Sequence, residues 1–228
     1  PTVFALHLRT LSPEAFVSPC QASQDAEPAS HDAGPASHGA DLPSRAHNIG
    51  HRRDSKAGRH AHDAGYVLLK ATGPLDWHAP TRNLHLPLDA HTRDFGAACL
   101  RITPDDDWHT DAPLWLIENQ ALFERTDWLP PGPAVTLLYY NGQLSDLLVR
   151  WLAARPRGSR LIHFPDYDGI GLANFARLHA QLGDACHFWL MPGWADSLQR
   201  YGSHALWLRT LDPFLRVRPD LPSHLAPL

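Results

Sequence analysis

The stretch LIHFPDYDGIGLANFARL, from residue 161 to residue 178, decides how this chain folds. Its first four residues, Leu161–Phe164, have the apolar character of a short buried strand. After Asp166 and Asp168 the apolar residues recur every three or four positions, as on one face of an amphipathic helix. These positions are Leu172, Phe175, Leu178 and Leu182. A buried strand that turns directly into an amphipathic helix is typical of a βαβ unit.

Three further apolar runs surround this unit. They are LWLI at 114–117, AVTLLYY at 134–140 and CHFWLM at 186–191. A helical stripe from Leu144 to Leu152 follows the second run, and a helix is expected around Trp194–Tyr201 after the last. Short buried runs that alternate with helices predict an α/β fold, a parallel four-stranded sheet with helices on both faces. The crossovers between its strands should be right-handed.

The rest of the chain divides by composition. Residues 1–17 are expected to form a short ordered element, and residues 18–64 a low-complexity linker with too few apolar residues to fold. Residues 65–113 contain three apolar runs, Tyr66–Lys70, Asn83–Ala90 and Ala97–Thr103, which predict a small β-rich extension. The α/β domain then covers 114–211, and residues 212–228 are expected to be a C-terminal tail.

Composition limits the function classes. A formal net charge of −4 does not indicate a polyanion partner, although a local basic patch remains open. Three widely spaced cysteines argue against a disulfide framework and against a cysteine-rich zinc site. No apolar run approaches the length of a membrane span, and no signal-peptide pattern is present. We therefore expect a cytoplasmic protein without a membrane partner.

Carboxylates follow two of the predicted strands. Glu118 comes directly after LWLI, and Asp166 and Asp168 come after LIHF. Ligands bind at the carboxyl ends of the strands in open parallel sheets, so the three side chains should meet there if the strands are neighbours. Converging carboxylates repel one another unless a cation is present, and hard oxygen ligands favour Mg²⁺ or Mn²⁺. The alternative for Asp166 or Asp168 is a structural one, an N-cap of the following helix.

The order of these motifs resembles a known family. A strand ending in Glu118, followed by a strand ending in Asp166-Tyr167-Asp168-Gly169, is similar to the Toprim domain of topoisomerases, primases and related nucleases. The segments LIENQALF, LLYYNGQLSDLL and LIHFPDYDGIGLANFARL resemble the type IIB topoisomerase A subunit and its meiotic break-forming relatives. They resemble still more closely the Toprim-like domain of the bacterial Wadjet plasmid-defence nuclease subunit. The similarity covers about 114–191 and extends weakly towards 211.

The resemblance implies a function for each acidic residue. Glu118 would be an acid/base or metal-ligand glutamate, and Asp166 and Asp168 would be metal ligands. The expected activity is Mg²⁺-dependent cleavage or nicking of DNA, by hydrolysis, because the chain shows no winged-helix domain with a tyrosine nucleophile. Expected partners are DNA, other subunits of a bacterial defence complex, and a second copy in a homodimer. The alternative is a degenerate Toprim domain that binds DNA or a partner without cutting, which Pro165, at a position often Gly in relatives, favours.

Other polar residues invite functional interpretations. The arginines at positions 150, 155, 157 and 160 could contact phosphates, but they precede the LIHF strand and so are expected at the opposite end of the sheet. His163 could line the pocket or be a buried core histidine. His47, His51, His60 and His62 have no nearby cysteine to complete a familiar zinc site. Tyr139 and Tyr140 are expected in the core.

Overall fold

The structure is a computed structural model that describes residues 64–142 and 144–225. The segments predicted as an ordered element (1–17) and a low-complexity linker (18–64) fall almost wholly outside these residues. The four histidines between His47 and His62 also lie outside them. The described residues belong to one compact unit.

The first part of this unit consists mainly of strands. They are β1 (Gly65–Ala71), β2 (Asp76–Ala79), β3 (Leu84–Pro87) and β4 (Ala98–Ile102), with helix α1 (Leu88–Phe95) between β3 and β4. The strand expected at 83–90 is observed at Leu84–Pro87, and residues 88–90 belong to helix α1 instead. β2 and β3 form a separate two-stranded antiparallel sheet.

The second part alternates between strands and helices, as predicted. Its elements are β5 (Leu114–Ile117), α2 (Gln120–Glu124), β6 (Thr136–Tyr139), α3 (Asp146–Ala154), β7 (Leu161–Phe164), α4 (Gly169–Leu182), β8 (Cys186–Phe188), α5 (Trp194–Tyr201) and α6 (His204–Val217). Helix α6 crosses the boundary that was predicted between residues 211 and 212. Much of the expected C-terminal tail is thus helical.

The central sheet has six strands in the order β4-β1-β6-β5-β7-β8. The pairings β6-β5, β5-β7 and β7-β8 are parallel, whereas β1 pairs antiparallel with both β4 and β6. The α/β class is confirmed, but the sheet is mixed and wider than the four parallel strands expected. The reason is that two strands of the predicted β-rich extension, β1 and β4, join its edge.

Apolar side chains cover both faces of this sheet. Leu114 and Leu116 of β5 pack into one buried cluster, with Trp151 of α3 and Phe175 of α4. Trp115 and Ile117 point to the other face, where they pack with residues of α2 such as Phe123. All four residues of β5 are buried, as expected for a central parallel strand covered on both sides. Among the described residues, no helix has both the length and the apolar character needed to cross a membrane.

Candidate functional site

The predicted acidic residues meet at the carboxyl ends of β5 and β7. These two strands are adjacent, with Ile117 paired to Phe164, so Glu118 and the loop after Phe164 leave the sheet side by side. The Asp166 backbone N–H donates to Glu118 Oε2 at 3.1 Å. The parallel register therefore brings Glu118 into direct contact with the DxD loop.

Tyr140 contacts Glu118 from the interior of the protein, and His163 contacts Tyr140 in turn. Tyr140 directly follows β6, the other neighbour of β5, and its hydroxyl lies 3.0 Å from Glu118 Oε2 and 2.8 Å from His163 Nε2. A hydroxyl carries one proton, so Tyr140 donates to only one of these partners at a time. When Glu118 is ionised, Tyr140 donates to the carboxylate and the His163 Nε2–H donates to the Tyr140 oxygen. The three side chains form one hydrogen-bonded chain into the core.

Burial controls the protonation of these three side chains. The pKa of Glu118 is raised to about 8, mainly because burial removes its solvation and secondly because Asp166 repels its charge. The hydrogen bonds from the Asp166 N–H and Tyr140 lower that pKa, and Asp168 raises it further. Burial lowers the pKa of His163 to about 3, so its imidazole is neutral. Burial also raises the pKa of Tyr140 above its usual value, and the negative charge of Glu118 adds to this effect.

Asp168 is an N-cap in this structure. Its Oδ1 accepts from the backbone N–H groups of Ile170 and Gly171, each at 2.9 Å, at the start of α4. The structural alternative considered for the DxD motif is thus observed for its second aspartate. Capping engages Oδ1 only, and a carboxylate offers a second oxygen to other ligands.

Among the residues that the structure describes, the three carboxylates do not form the tightest group of ligand atoms. Within residues 64–142 and 144–225, only Asp76, His78 and His85 bring three such atoms within 4.8 Å of one another. Glu118 is turned towards the Asp166 amide, and Asp168 towards the helix N-terminus. The acidic site is therefore more open than a closed metal cage.

Two glycines allow the loop to take this shape. A Cβ at Gly171 would lie 2.0 Å from the Asp166 carbonyl oxygen, and a Cβ at Gly169 would lie 1.7 Å from the Thr210 carbonyl oxygen. Thr210 belongs to α6, and its Oγ1 accepts from the Gly169 N–H at 3.0 Å. The DGIG sequence thus permits both the tight turn and the close approach of the C-terminal helix.

The loop after β6 is also held near the site. Asn141 and Gly142 both have positive φ, at 54° and 79°. The buried Asn174 side chain donates to the Gly142 carbonyl at 3.0 Å. Asn119, which follows Glu118, caps α2 by accepting from the Ala121 N–H at 2.8 Å. Asn119 and Gly142 therefore shape the rim of the site.

Arg157 has a structural role that the sequence did not indicate. It is 3% exposed and forms an ion pair with the buried Asp106 at 3.1 Å. The arginines before β7 do lie at the opposite end of that strand from Asp166, as expected. Arg157, however, is in the interior rather than on a solvated loop.

Sequence reasoning missed one member of the site. Tyr140 was assigned to core packing, yet its hydroxyl contacts Glu118. The available signal was its position at the carboxyl end of the apolar run 134–140. In the structure it directly follows β6, as Glu118 directly follows β5. His163 is a buried core histidine, the second of its two interpretations, and it is hydrogen-bonded to Tyr140.

Comparison with protein-family models and with curated proteins gave no match for this chain.

Proposed function

We propose that the site at the ends of β5 and β7 is a Toprim-type, metal-dependent centre that hydrolyses DNA phosphodiesters. The observation that supports this most is the contact between Glu118 and the DxD loop, in a partly buried position where the neighbouring Asp166 and Asp168 oppose a negative charge on Glu118. Burial of this charge favours a bound cation, because a divalent ion would offset the repulsion that raises the Glu118 pKa. The donor set contains only oxygen atoms, which suits Mg²⁺ or Mn²⁺.

Each residue has a role in this proposal. Asp166 and the second oxygen of Asp168 would hold the cation, with Glu118 as a third ligand or as the proton-transfer group. A bound Mg²⁺ would polarise the phosphodiester and stabilise the leaving oxygen. Without an ion the pKa of Glu118 is raised to about 8, and a bound cation would lower it again. A carboxyl that titrates near neutral pH can act as an acid or a base. Tyr140 would orient Glu118. Its hydroxyl would donate to Glu118 when that carboxyl is ionised and accept from it when the carboxyl is protonated.

We also propose a substrate, partners and a cellular location. DNA would be the substrate, the other subunits of a bacterial defence complex would be partners, and the protein would act in the cytoplasm, alone or as a homodimer. These statements rest on the resemblance of residues 114–191 to Wadjet-type Toprim domains.

Nicking of supercoiled plasmid DNA by the full chain, with Mg²⁺ or Mn²⁺, tests the activity. Glu118→Gln and Asp168→Asn should each reduce the rate at least 100-fold, because each removes a charge from the reacting centre. Asp184→Asn is the matched control, since Asp184 is fully exposed beyond the far end of α4. Equal nicking by the parent and both site variants would overturn the site assignment.

The capping role of Asp168 supports a second candidate, a Toprim-like domain that binds DNA or a partner without cutting. A carboxylate committed to a helix N-terminus has less freedom to bind metal. Calorimetric titration with Mn²⁺ separates the two candidates. A catalytic site should show saturable binding that Asp166→Asn abolishes, whereas a degenerate site should give the same heats in the parent and the variant.

A further inference from the structure

A second cluster of metal-ligand side chains lies on the β2–β3 hairpin. Asp76, His78 and His85 each offer a ligand atom, and these atoms all lie within 4.8 Å of one another. His85 Nε2 is 3.2 Å from Asp76 Oδ1, and the His78 and His85 rings are stacked with centroids 5.2 Å apart. The cluster is exposed to solvent, so an ion could enter and leave it directly.

The strand register determines that these side chains share a face. His78 of β2 is paired directly opposite His85 of β3. Trp77 and Ala79 are fully buried, so the alternation of a strand turns Asp76 and His78 outward together. Directly paired residues of an antiparallel ladder also project on the same side.

A third histidine continues the same row. His109 exchanges two backbone hydrogen bonds with His78, each of 2.9 Å, so it lies beside His78 on the side away from His85. The ring centroids of His78 and His109 are 6.4 Å apart. Nδ1 of His109 contacts the Asp107 carbonyl at 3.0 Å, which leaves Nε2 as its available ligand atom. Three imidazoles and one carboxylate are thereby concentrated on one small surface.

The backbone that carries the cluster is anchored in the core. The Trp77 indole donates to Thr136 Oγ1 at 3.0 Å and stacks on Trp151. The Thr81 N–H, in the turn between β2 and β3, donates to Asp107 Oδ2 at 2.6 Å. The ligand-bearing strands are therefore held in place before any ion binds, which lowers the entropic cost of forming a site.

We infer that Asp76, His78 and His85 form a Zn²⁺ site that clips the β2–β3 hairpin, with His109 as the neighbouring fourth donor. Imidazole and carboxylate ligands suit Zn²⁺, which binds three or four such groups in tetrahedral geometry. Ligand atoms around a tetrahedral Zn²⁺ are roughly 3.3–3.6 Å apart, so the exposed side chains need to close by about 1 Å.

This site is distinct from the acidic one in place and in chemistry. Trp77 contacts Thr136, the first residue of β6, so the hairpin lies at the amino-terminal end of the parallel strands. Glu118 and the DxD loop lie at their carboxyl ends. Nitrogen donors favour Zn²⁺ over Mg²⁺, and the position at the far end indicates a structural ion rather than a reacting one.

Calorimetric titration of the full, metal-free chain with Zn²⁺ tests this inference, with Co²⁺ absorbance as a readout of tetrahedral coordination. We expect His78→Ala/His85→Ala to lose one equivalent of bound Zn²⁺ and the visible Co²⁺ bands. His187→Ala/His204→Ala is the matched control, because it removes two exposed histidines on β8 and α6 and should keep both signals. Unchanged stoichiometry and affinity in the hairpin variant would overturn the site.

Thermal unfolding provides a second readout. Zn²⁺ at about a hundredfold excess over its Kd should raise the Tm of the parent by about 5–11 °C, because it binds only the folded hairpin. The hairpin variant should fold normally without metal, since both substituted side chains are exposed, and its Tm should not respond to Zn²⁺. A Zn²⁺-dependent rise in that variant equal to the parent's would contradict the assignment.

Discussion

At the scale of single residues, the main feature of this protein is a glutamate that resists ionisation. Glu118 is partly buried beside Asp166, and its pKa is raised from 4.5 to about 8. A group whose pKa is raised on folding favours the folded state while protonated. That contribution is complete below about pH 4.5 and is lost as pH rises through 8. Ionised Glu118 is therefore a cost to the metal-free fold at alkaline pH.

Glu118→Gln should remove this cost, because glutamine keeps the size and an acceptor oxygen without the charge. Relative to the parent, the variant should gain about 2–4 kcal/mol of unfolding free energy between pH 5 and pH 9. Urea denaturation at both pH values, with divalent ions chelated, measures this gain. Glu124→Gln is the control on the exposed surface of α2 and should show no such trend. A pH-independent difference for Glu118→Gln would show that its carboxyl is not desolvated.

At the scale of elements, the site depends on how closely α6 approaches the start of α4. Gly169 lies at the first position of α4, where its N–H donates to Thr210 of α6. The absence of a side chain at Gly169 lets the two helices meet at backbone distance. Because Asp168 caps α4, the position of this helix terminus also determines where the Asp168 carboxylate lies.

Gly169→Ala should therefore separate the two helices. Its Cβ would lie 1.7 Å from a carbonyl oxygen, so the helix start or α6 must shift, at a cost of about 2–4 kcal/mol in unfolding free energy. Gly132→Ala is the matched control, because its nearest neighbouring atom is 4.0 Å away. Urea denaturation of the two variants gives the comparison. Equal midpoints would mean that α6 does not pack against Gly169 in solution.

At the scale of the whole molecule, a buried ion pair joins segments that are distant in sequence. The Arg157 guanidinium donates to Asp106 Oδ1 at 3.1 Å and to the Trp108 carbonyl at 3.0 Å. Its Nε donates to the Trp151 carbonyl at 2.9 Å, and the group stacks on the Trp151 ring. Burial lowers the pKa of Arg157 to about 10, while Asp106 opposes that shift, so the residue remains charged at neutral pH. The pair connects the segment before β5 to the end of α3.

Arg157→Ala should be strongly destabilising, because it leaves Asp106 buried without its counter-charge. We expect a loss of about 3–5 kcal/mol in unfolding free energy, measured by urea denaturation at pH 7. Arg125→Ala is the control, since its partner Asp127 is exposed, and its midpoint should remain close to that of the parent. A loss no larger than that of the control would show that the Arg157 pair contributes little to the fold.

Much of the α/β part could be predicted because its signals are local. The apolar runs at 134–140 and 161–164 contain strands, since burial on both faces demands such runs. The leucine stripes after these two runs are helices. The placement of Glu118 and Asp166 at one sheet edge followed from parallel strands. The positions of the edge strands in the sheet could not be predicted. β1 could pair with many strands, and nothing in its local sequence indicates that its partner is β6.

The sequence by itself determined the strand–helix alternation, the two acidic motifs and the glycines that follow them. Only the tertiary structure decided that β5 lies between β6 and β7, which brings Glu118, Tyr140 and the DxD loop together. It also decided that Asp168 caps α4, and that His78, His85 and His109 share a row. The physical reason is that periodicity reports which face a residue shows, whereas register and strand order depend on contacts between segments far apart in the chain.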